Sequence, residues 1–180
     1  MGRSDSDVGS RARGRTATGL GEESRERVKV GVSDATVTSR DVILVTSGLG
    51  SCLGVALYDP TNDVGGLLHA MLPESAGHPG PPEKFVVDGI DEMLDEIERR
   101  GGSRRQVRAK LAGASSMLDL DTETASVGEQ NVAAAEEALA ERNIPVEGKE
   151  LGGDNGRSLQ FEPTEGRLLV SSANGNRTEL

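Results

Sequence analysis

The only cysteine of this sequence and one of its two histidines form the combination best suited to nucleophilic chemistry. Cys52 ends the stretch TSGLGSC, and His69 follows 17 positions later. A thiol becomes a strong nucleophile when a neighbouring imidazole takes its proton, which requires proximity in space rather than in sequence. Thr46 begins the same stretch, and its hydroxyl can orient the ring. We therefore predict a nucleophile (Cys52), a general base (His69) and a hydroxyl helper (Thr46) in one site.

The chemistry open to such a set is acyl transfer at an amide. The thiolate can attack the carbonyl, the imidazolium can protonate the departing nitrogen, and the imidazole can then activate water against the thioester. Gly48, Gly50 and Gly54 lack a Cβ and should let a substrate come close to the sulfur. The backbone N–H of Cys52 and a neighbouring loop amide can supply an oxyanion hole, with Ser51 lining the site.

Each of these residues also has an ordinary structural interpretation. A lone cysteine is usually a small, inert, buried hydrophobe, and the residue types alone favour that interpretation of Cys52. Thr46 equally fits a β-branched strand residue, and a serine before a cysteine in a turn, such as Ser51, needs no special explanation.

Short apolar runs separated by turn residues predict strands on both sides of the candidate residues. The runs are VKVGV from Val28, VILVT from Val42, LGVALYD from Leu53 and GGLLHAML from Gly65. The sequence DPTND between the last two predicts a hairpin turn. A hairpin would place Cys52 and His69 on neighbouring strands.

Two helices and further strands are predicted in the second half of the chain. Apolar residues at helical spacing run from Phe85 to a stop at Gly101, and an alanine-rich helix spans about Glu129 to Arg142. The Pro/Gly-rich segment 74–83 predicts a loop. Strands are predicted in VRAKLAGAS and around Val146, Leu159–Phe161 and Leu168–Val170, with a tight turn at GGDNGR.

Composition excludes several classes of function. The net charge of −10 argues against a broad nucleic-acid or anionic-membrane surface. No apolar run is long enough to cross a membrane, and the N-terminus lacks the apolar centre of a signal peptide, so we predict a cytoplasmic protein without membrane insertion. There is no phosphate-binding loop, and one Cys with two His gives too few ligands for structural zinc, so neither a cofactor nor a metal is predicted.

The acidic surface also carries a prediction about salt. Lysine is scarce and aromatic residues make up 2% of the chain, which we interpret as typical of a protein that works in concentrated salt. Charges are screened within about 3 Å at 1 M salt, so self-repulsion is weak there. An ordinary acidic protein is the alternative, and a melting curve that does not depend on salt would favour it.

The N-terminal segment differs in composition from the rest. Residues 1–27 are rich in Gly, Ser and Arg without an apolar period, which predicts a disordered tail. A single domain is expected over residues 28–172, followed by a C-terminal tail over 173–180.

Several motifs, taken in order, resemble those of the CheD family of chemoreceptor glutamine deamidases. They are TSGLGSCLGVALYDP, GGLLHAMLP, KLAGASSM, GEQNV, ELGGDNGR and FEPTEGRLLV. They cover essentially residues 28–170 in the family's order, and the cysteine motif, the histidine at this separation and the Gly-Gly…Gly-Arg turn make the match specific.

The resemblance implies a fold and a set of roles. It implies an α+β fold, a single layered α/β/β domain with a mixed β-sandwich core. It assigns Cys52 as nucleophile, His69 as general base and Thr46 as the third member. The implied reaction converts chemoreceptor glutamines to glutamates, and the implied partners are the cytoplasmic helices of methyl-accepting chemoreceptors and the phosphatase CheC.

Two other functions remain open. The chain could be a docking module on receptors or on CheC without catalysis, although an adaptor has no need of Thr46, Cys52 and His69 together. A cysteine peptidase is weaker, because the sequence carries no signature of a substrate groove.

Overall fold

The computed structural model describes residues 24–116 and 124–180, which form two β-sheets and two α-helices. The strands are β1 (Arg27–Lys29), β2 (Asp34–Thr38), β3 (Ile43–Leu49), β4 (Leu53–Asp59), β5 (Val64–Ala70), β6 (Arg108–Gly113), β7 (Val146–Leu151), β8 (Arg157–Glu162), β9 (Arg167–Ser172) and β10 (Arg177–Glu179). The helices are α1 (Val86–Arg99) and α2 (Val127–Glu141).

The elements form three layers, as predicted. The central sheet has the strand order β2-β5-β4-β6-β7, and the outer sheet has the order β1-β3-β8-β9-β10. Both sheets are mixed, because β6–β7 and β1–β3 pair in parallel while the other neighbours are antiparallel. One apolar cluster lies between the helices and the central sheet, and a second lies between the two sheets.

Strand β4 shows how the sequence fills both clusters. Every residue of β4 and of β5 is buried, which explains their nearly continuous apolar runs. Leu53, Val55 and Leu57 belong to the cluster under the helices, whereas Ala56 and Tyr58 belong to the cluster between the sheets. Side chains alternate along a strand, so the even-numbered positions of β4 face the outer sheet.

The helices cover the central sheet through amphipathic faces. Helix α1 buries Ile90, Met93, Leu94 and Ile97 at helical spacing. Helix α2 begins with a capping box, in which Ser126 accepts from the backbone N–H of Glu129 and the Glu129 side chain accepts from the N–H of Ser126. Among the helices of the described residues, none is long and apolar enough to cross a membrane.

Two strands were missing from the sequence-based prediction, and both lie at sheet edges. Strand β2 is the edge of the central sheet, and β10 is the edge of the outer sheet and falls within the predicted C-terminal tail. Of the predicted N-terminal tail, residues 1–23 lie outside the described residues, and β1 begins at Arg27. Edge strands are short and polar here, so they lack the apolar pattern that marks the inner strands.

Candidate active site

The β4–β5 hairpin brings the predicted nucleophile and base to the same face of the central sheet. Gly54 is directly opposite His69 in the antiparallel register, and Leu53 is opposite Ala70. Cys52 directly precedes β4 and is two positions from Gly54, so continuing the alternation of the strand assigns it to the face of His69, which is the face toward the outer sheet. Diagonal neighbours of this kind are about 7 Å apart, within reach of side chains.

Thr46 reaches the same place from the opposite sheet. It lies on β3, and its Oγ1 is 2.8 Å from Nδ1 of His69, with both side chains buried. The register of β3 against β8 shifts between Thr46 and Leu49, and Gly48 in this irregular stretch has a φ of +74°. This positive φ favours glycine, and the bulge allows β3 to turn into the loop that carries Cys52.

The hydrogen bond to Thr46 leaves the other ring nitrogen of His69 free. His69 is fully buried, and its Nε2 has no hydrogen-bond partner among the described residues. When Nδ1–H donates to Thr46 Oγ1, Nε2 carries the lone pair and can accept a proton. Burial lowers the pKa of His69 below its ordinary value of 6.5, so the ring stays neutral and able to accept at neutral pH.

Cys52 is half-buried, and the pKa of its thiol is shifted upward, whereas that of His69 is shifted downward. Burial raises the pKa of its thiol above the ordinary value of 9.0, although a hydrogen bond from its own backbone N–H works against this. A buried thiol and a buried imidazole both favour their neutral forms. The thiol is therefore a weak nucleophile until a base accepts its proton.

The nucleophile loop, residues 50–52, is fixed by all three of its carbonyl groups. Each carbonyl accepts one hydrogen bond from a residue that follows β6 or lies on α2. The donors are Ser115 N to Gly50 O at 2.8 Å, Asn131 Nδ2 to Ser51 O at 2.9 Å, and Ala114 N to Cys52 O at 2.8 Å. Such anchoring leaves the loop little freedom to change its peptide orientations.

The glycines around Cys52 differ in what a side chain at each position would meet. A Cβ on Gly48 or Gly50 would meet no atom within 4 Å, so the space beside both is open, and their role in substrate approach stays a prediction. The expected role of Gly54 in substrate approach is wrong, because a Cβ there would lie 2.3 Å from Leu159 Cδ1 of the outer sheet. Gly54 is needed for the two sheets to pack closely beside His69. Gly113 has a φ of +114°, and a Cβ on it would lie 2.6 Å from the carbonyl oxygen of Cys52.

A buried arginine, Arg157, hydrogen-bonds to the segment that holds the nucleophile loop. Arg157 is 6% exposed, pairs with Glu150, and donates from Nη1 to Gly113 O at 3.2 Å. Gly113 directly precedes Ala114 and Ser115, whose N–H groups hold the nucleophile loop. Arg157 belongs to the turn motif GGDNGR and Asn131 to GEQNV, and neither motif by itself indicates a role for these residues. Only the spatial arrangement connects them to Cys52.

The described residues contain no group of three or more His, Cys, Asp or Glu side chains that could hold a metal ion. The chemistry of the site as described lies in a thiol, an imidazole, a hydroxyl and a set of backbone amides.

The two mixed sheets and two helices define a layered α+β domain, and comparison with known proteins identifies the family. The family model described as CheD chemotactic sensory transduction matches residues 71–172. The probable chemoreceptor glutamine deamidase CheD of Haloarcula marismortui is 42% identical over 86% of this chain and 90% of its own length. A protein of the same name from Natronomonas pharaonis is 41% identical over 88% of this chain and 95% of its own length. The chain belongs to the CheD family.

Similarity to solved structures is more remote. The Bacillus licheniformis hypothetical protein YfiH is 17% identical, with a TM-score of 0.44 over 65% of this chain and 49% of that chain. YlmD from Geobacillus stearothermophilus is 13% identical, with a TM-score of 0.43 over 67% of this chain and 51% of that chain.

Proposed function

We propose that this chain is a protein-glutamine deamidase that converts glutamine side chains of chemoreceptors to glutamate during chemotaxis. The names of its relatives from Haloarcula marismortui and Natronomonas pharaonis support the substrate and the reaction. The observation that carries the chemistry is the 2.8 Å contact between Thr46 Oγ1 and His69 Nδ1, which leaves Nε2 free on the face shared with Cys52.

In the proposed first half-reaction, the thiol displaces ammonia. Cys52 Sγ attacks the side-chain carbonyl carbon of glutamine while its proton moves to Nε2 of His69. The carbonyl oxygen becomes an oxyanion, which the backbone N–H of Cys52 and a neighbouring N–H of the loop, at Gly50 or Ser51, would stabilise. His69 then gives its proton to the amide nitrogen, the C–N bond breaks, and ammonia leaves a thioester on Cys52.

In the second half-reaction, water regenerates the enzyme. The neutral His69 takes a proton from water as the oxygen attacks the thioester carbon. The C–S bond breaks, the sulfur recovers the proton, and the product is the carboxyl group of glutamate. Thr46 keeps the ring in one tautomer throughout both steps, as the third member does in related nucleophile–base sites.

The proposed substrate determines the partners. The cytoplasmic helices of methyl-accepting chemoreceptors are the substrate, which places the chain in the cytoplasm. A CheC-like phosphatase is the second proposed partner, and the support for it is the sequence resemblance alone.

The test is mass spectrometry of a chemoreceptor cytoplasmic helix co-expressed with the protein in high salt. Wild type should add the mass of one amide-to-acid conversion at particular glutamines, and Cys52→Ala should not. His69→Ala should lose the conversion, whereas His78→Ala provides a matched control because His78 is an exposed residue of the loop before α1. Binding of the helix without conversion by the wild type would instead support a docking module.

A further inference from the structure

Helix α2 carries a buried asparagine that contacts the nucleophile loop and has no role in the chemistry described above. We propose that Asn131 is a positioning residue, which fixes the peptide between Ser51 and Cys52 so that the Cys52 N–H points into the oxyanion site. This inference rests on the proposed acyl-transfer function and adds a residue to its machinery.

Asn131 joins the two segments that carry the nucleophile and the base. Its Nδ2 donates to Ser51 O at 2.9 Å, directly before Cys52, and to Met71 O at 3.1 Å, two residues after His69. The side chain is fully buried. One amide group of α2 therefore determines the distance between the loop and the end of β5.

The hydrogen bonds of Asn131 show that it acts through the loop. Both hydrogens of its Nδ2 are used on backbone carbonyls, so none remains for a substrate. The opposite orientation of the amide would set Oδ1 against two carbonyl oxygens, so the partners determine the orientation. Oδ1 itself is buried without a partner among the described residues. An unpaired buried acceptor destabilises a fold, so packing alone would favour an apolar residue here.

Holding the Ser51 carbonyl also sets the direction of the next N–H. In a trans peptide the C=O and the N–H point in opposite directions across one plane. Asn131 draws the Ser51 carbonyl toward α2, so the Cys52 N–H is directed away from α2. The hydrogen bonds to Gly50 O and Cys52 O on either side prevent the neighbouring peptides from rotating to compensate.

Two thiol reagents separate this role from a general structural one. Acylation of Cys52 by p-nitrophenyl acetate passes through a tetrahedral oxyanion, whereas alkylation by iodoacetamide does not. Cys52 is the only cysteine, so Cys52→Ala gives the background for both reagents. Asn131→Leu keeps the branching of the side chain at Cγ and removes both donors, and Asn131→Ala removes the amide. Ala135→Gly is the matched control, because Ala135 is buried one turn further along the same helix.

Both Asn131 variants should acylate about 10–100-fold more slowly, since a misplaced oxyanion donor costs up to about that factor. Their alkylation rates should stay within about threefold of wild type, as should those of Ala135→Gly with either reagent. Deamidation of the receptor helix should lose kcat in parallel with acylation and keep its KM.

Equal losses of acylation and alkylation, or no loss of either in a folded variant, would overturn the positioning role. Thermal melting identifies a variant that is not folded, and Asn131→Leu, which fills the same site, then decides the question. If wild type fails to deamidate the helix but the acylation-to-alkylation ratio still falls in the variants, the proposed substrate is wrong and the positioning role stands.

Discussion

The two ends of strand β4, about 20 Å apart by strand geometry, differ in whether their buried polar groups have hydrogen-bond partners. At the far end, the fully buried carboxylate of Asp59 accepts from the N–H of Thr61 at 2.8 Å, of Asn62 at 3.1 Å and of Ser103 at 2.8 Å, and from Asn62 Nδ2 at 2.7 Å. Beside it, the Tyr58 hydroxyl donates to Glu147. These groups hold a turn together, and their hydrogen bonds are made within the fold.

The Cys52 end leaves polar atoms without partners. In the part of the chain that the structure describes, the buried side-chain atoms lacking a hydrogen bond are His69 Nε2, Ser115 Oγ and Asn131 Oδ1. His69 is on the strand paired with β4, and the other two residues hold the nucleophile loop. Unpaired buried polar groups cost stability, so their concentration at one end supports the proposal that the catalytic site lies there.

The largest expected effect is a loss of kcat on substitution of His69, at the Cys52 end of β4. His69→Asn keeps a polar atom near the Nδ1 position and removes Nε2, so the general base is lost. We expect kcat for receptor deamidation to fall about 10³-fold, within the usual range for general acid–base catalysis. The free energy of unfolding should change by only about 1–2 kcal/mol, because a small cavity replaces an unpaired nitrogen. Urea unfolding measures the stability and ammonia release measures kcat. A loss of stability without a loss of kcat would mean that His69 contributes to folding and not to the reaction.

A substitution at the Asp59 end of β4 should lower stability and leave kcat unchanged. Asp59→Ala leaves the N–H groups of Thr61, Asn62 and Ser103 without their acceptor. The free energy of unfolding should fall by about 3 kcal/mol, at roughly 1 kcal/mol or more for each donor, while kcat per folded molecule stays at the wild-type value. Asp63→Asn is the control, since Asp63 is an exposed residue of the same turn. An Asp59→Ala protein with wild-type stability would show that this turn contributes little.

A pH titration compares the two ends in one experiment. The folded-state pKa of His69 is lowered by burial, so its contribution to stability is present above the ordinary value of 6.5 and is lost as the pH falls through the folded pKa. Burial alone would raise the pKa of Asp59, but hydrogen bonds from Asn62, Ser103 and Thr61 outweigh it and lower the pKa below 3.8. The Asp59 contribution is therefore lost only below that value. Urea midpoints should fall first below pH 6.5, a step that His69→Asn should remove, and again at more acid pH, where Glu96 and Glu162 also contribute because ion pairs lower their pKa values below 4.5. The part of the acid step that Asp59→Ala removes is the contribution of Asp59.

Catalysis should follow the same histidine. The proposed mechanism requires neutral His69, so kcat/KM should decline on the acid side with a midpoint below 6.5, by about tenfold per pH unit beyond it. The pKa of Cys52 is raised above 9.0, so alkylation by iodoacetamide should keep increasing to alkaline pH while deamidation is already constant. Parallel profiles for the two reactions would mean that the resting thiolate, rather than proton transfer to His69, controls the rate.

The two ends also differ in how far sequence could predict them. Cys52 and His69 stand out because their residue types are rare and reactive, and the β4–β5 hairpin that joins them follows from a turn between apolar runs. Thr46 was a candidate by its position in the cysteine motif and was assigned a role by the family resemblance. Asn131 and Arg157 could not be assigned in this way. Their roles depend on contacts with Ser51 and Gly113, 80 and 44 positions away, and a polar residue in a helix or turn is ordinary by itself. The edge strand β10 was missed because all of its residues are exposed and polar, and β2 was missed because its five residues include only two apolar ones.

The smallest expected effect concerns Thr46, which lies on the outer sheet and hydrogen-bonds to Nδ1 of His69. Thr46→Val keeps the shape and removes the hydroxyl, so Nδ1 of His69 loses its partner and the ring is no longer held in one tautomer. One hydrogen bond is worth about 0.5–1.5 kcal/mol, so kcat/KM should fall about tenfold. Thr46→Ser retains the hydroxyl and should recover most of the activity. Thr38→Val, at another buried strand threonine, should leave kcat/KM unchanged. If Thr46→Ser does not recover kcat/KM, Thr46 acts by packing. The outer sheet would then contribute to the site through van der Waals contacts and not through a hydrogen bond to His69.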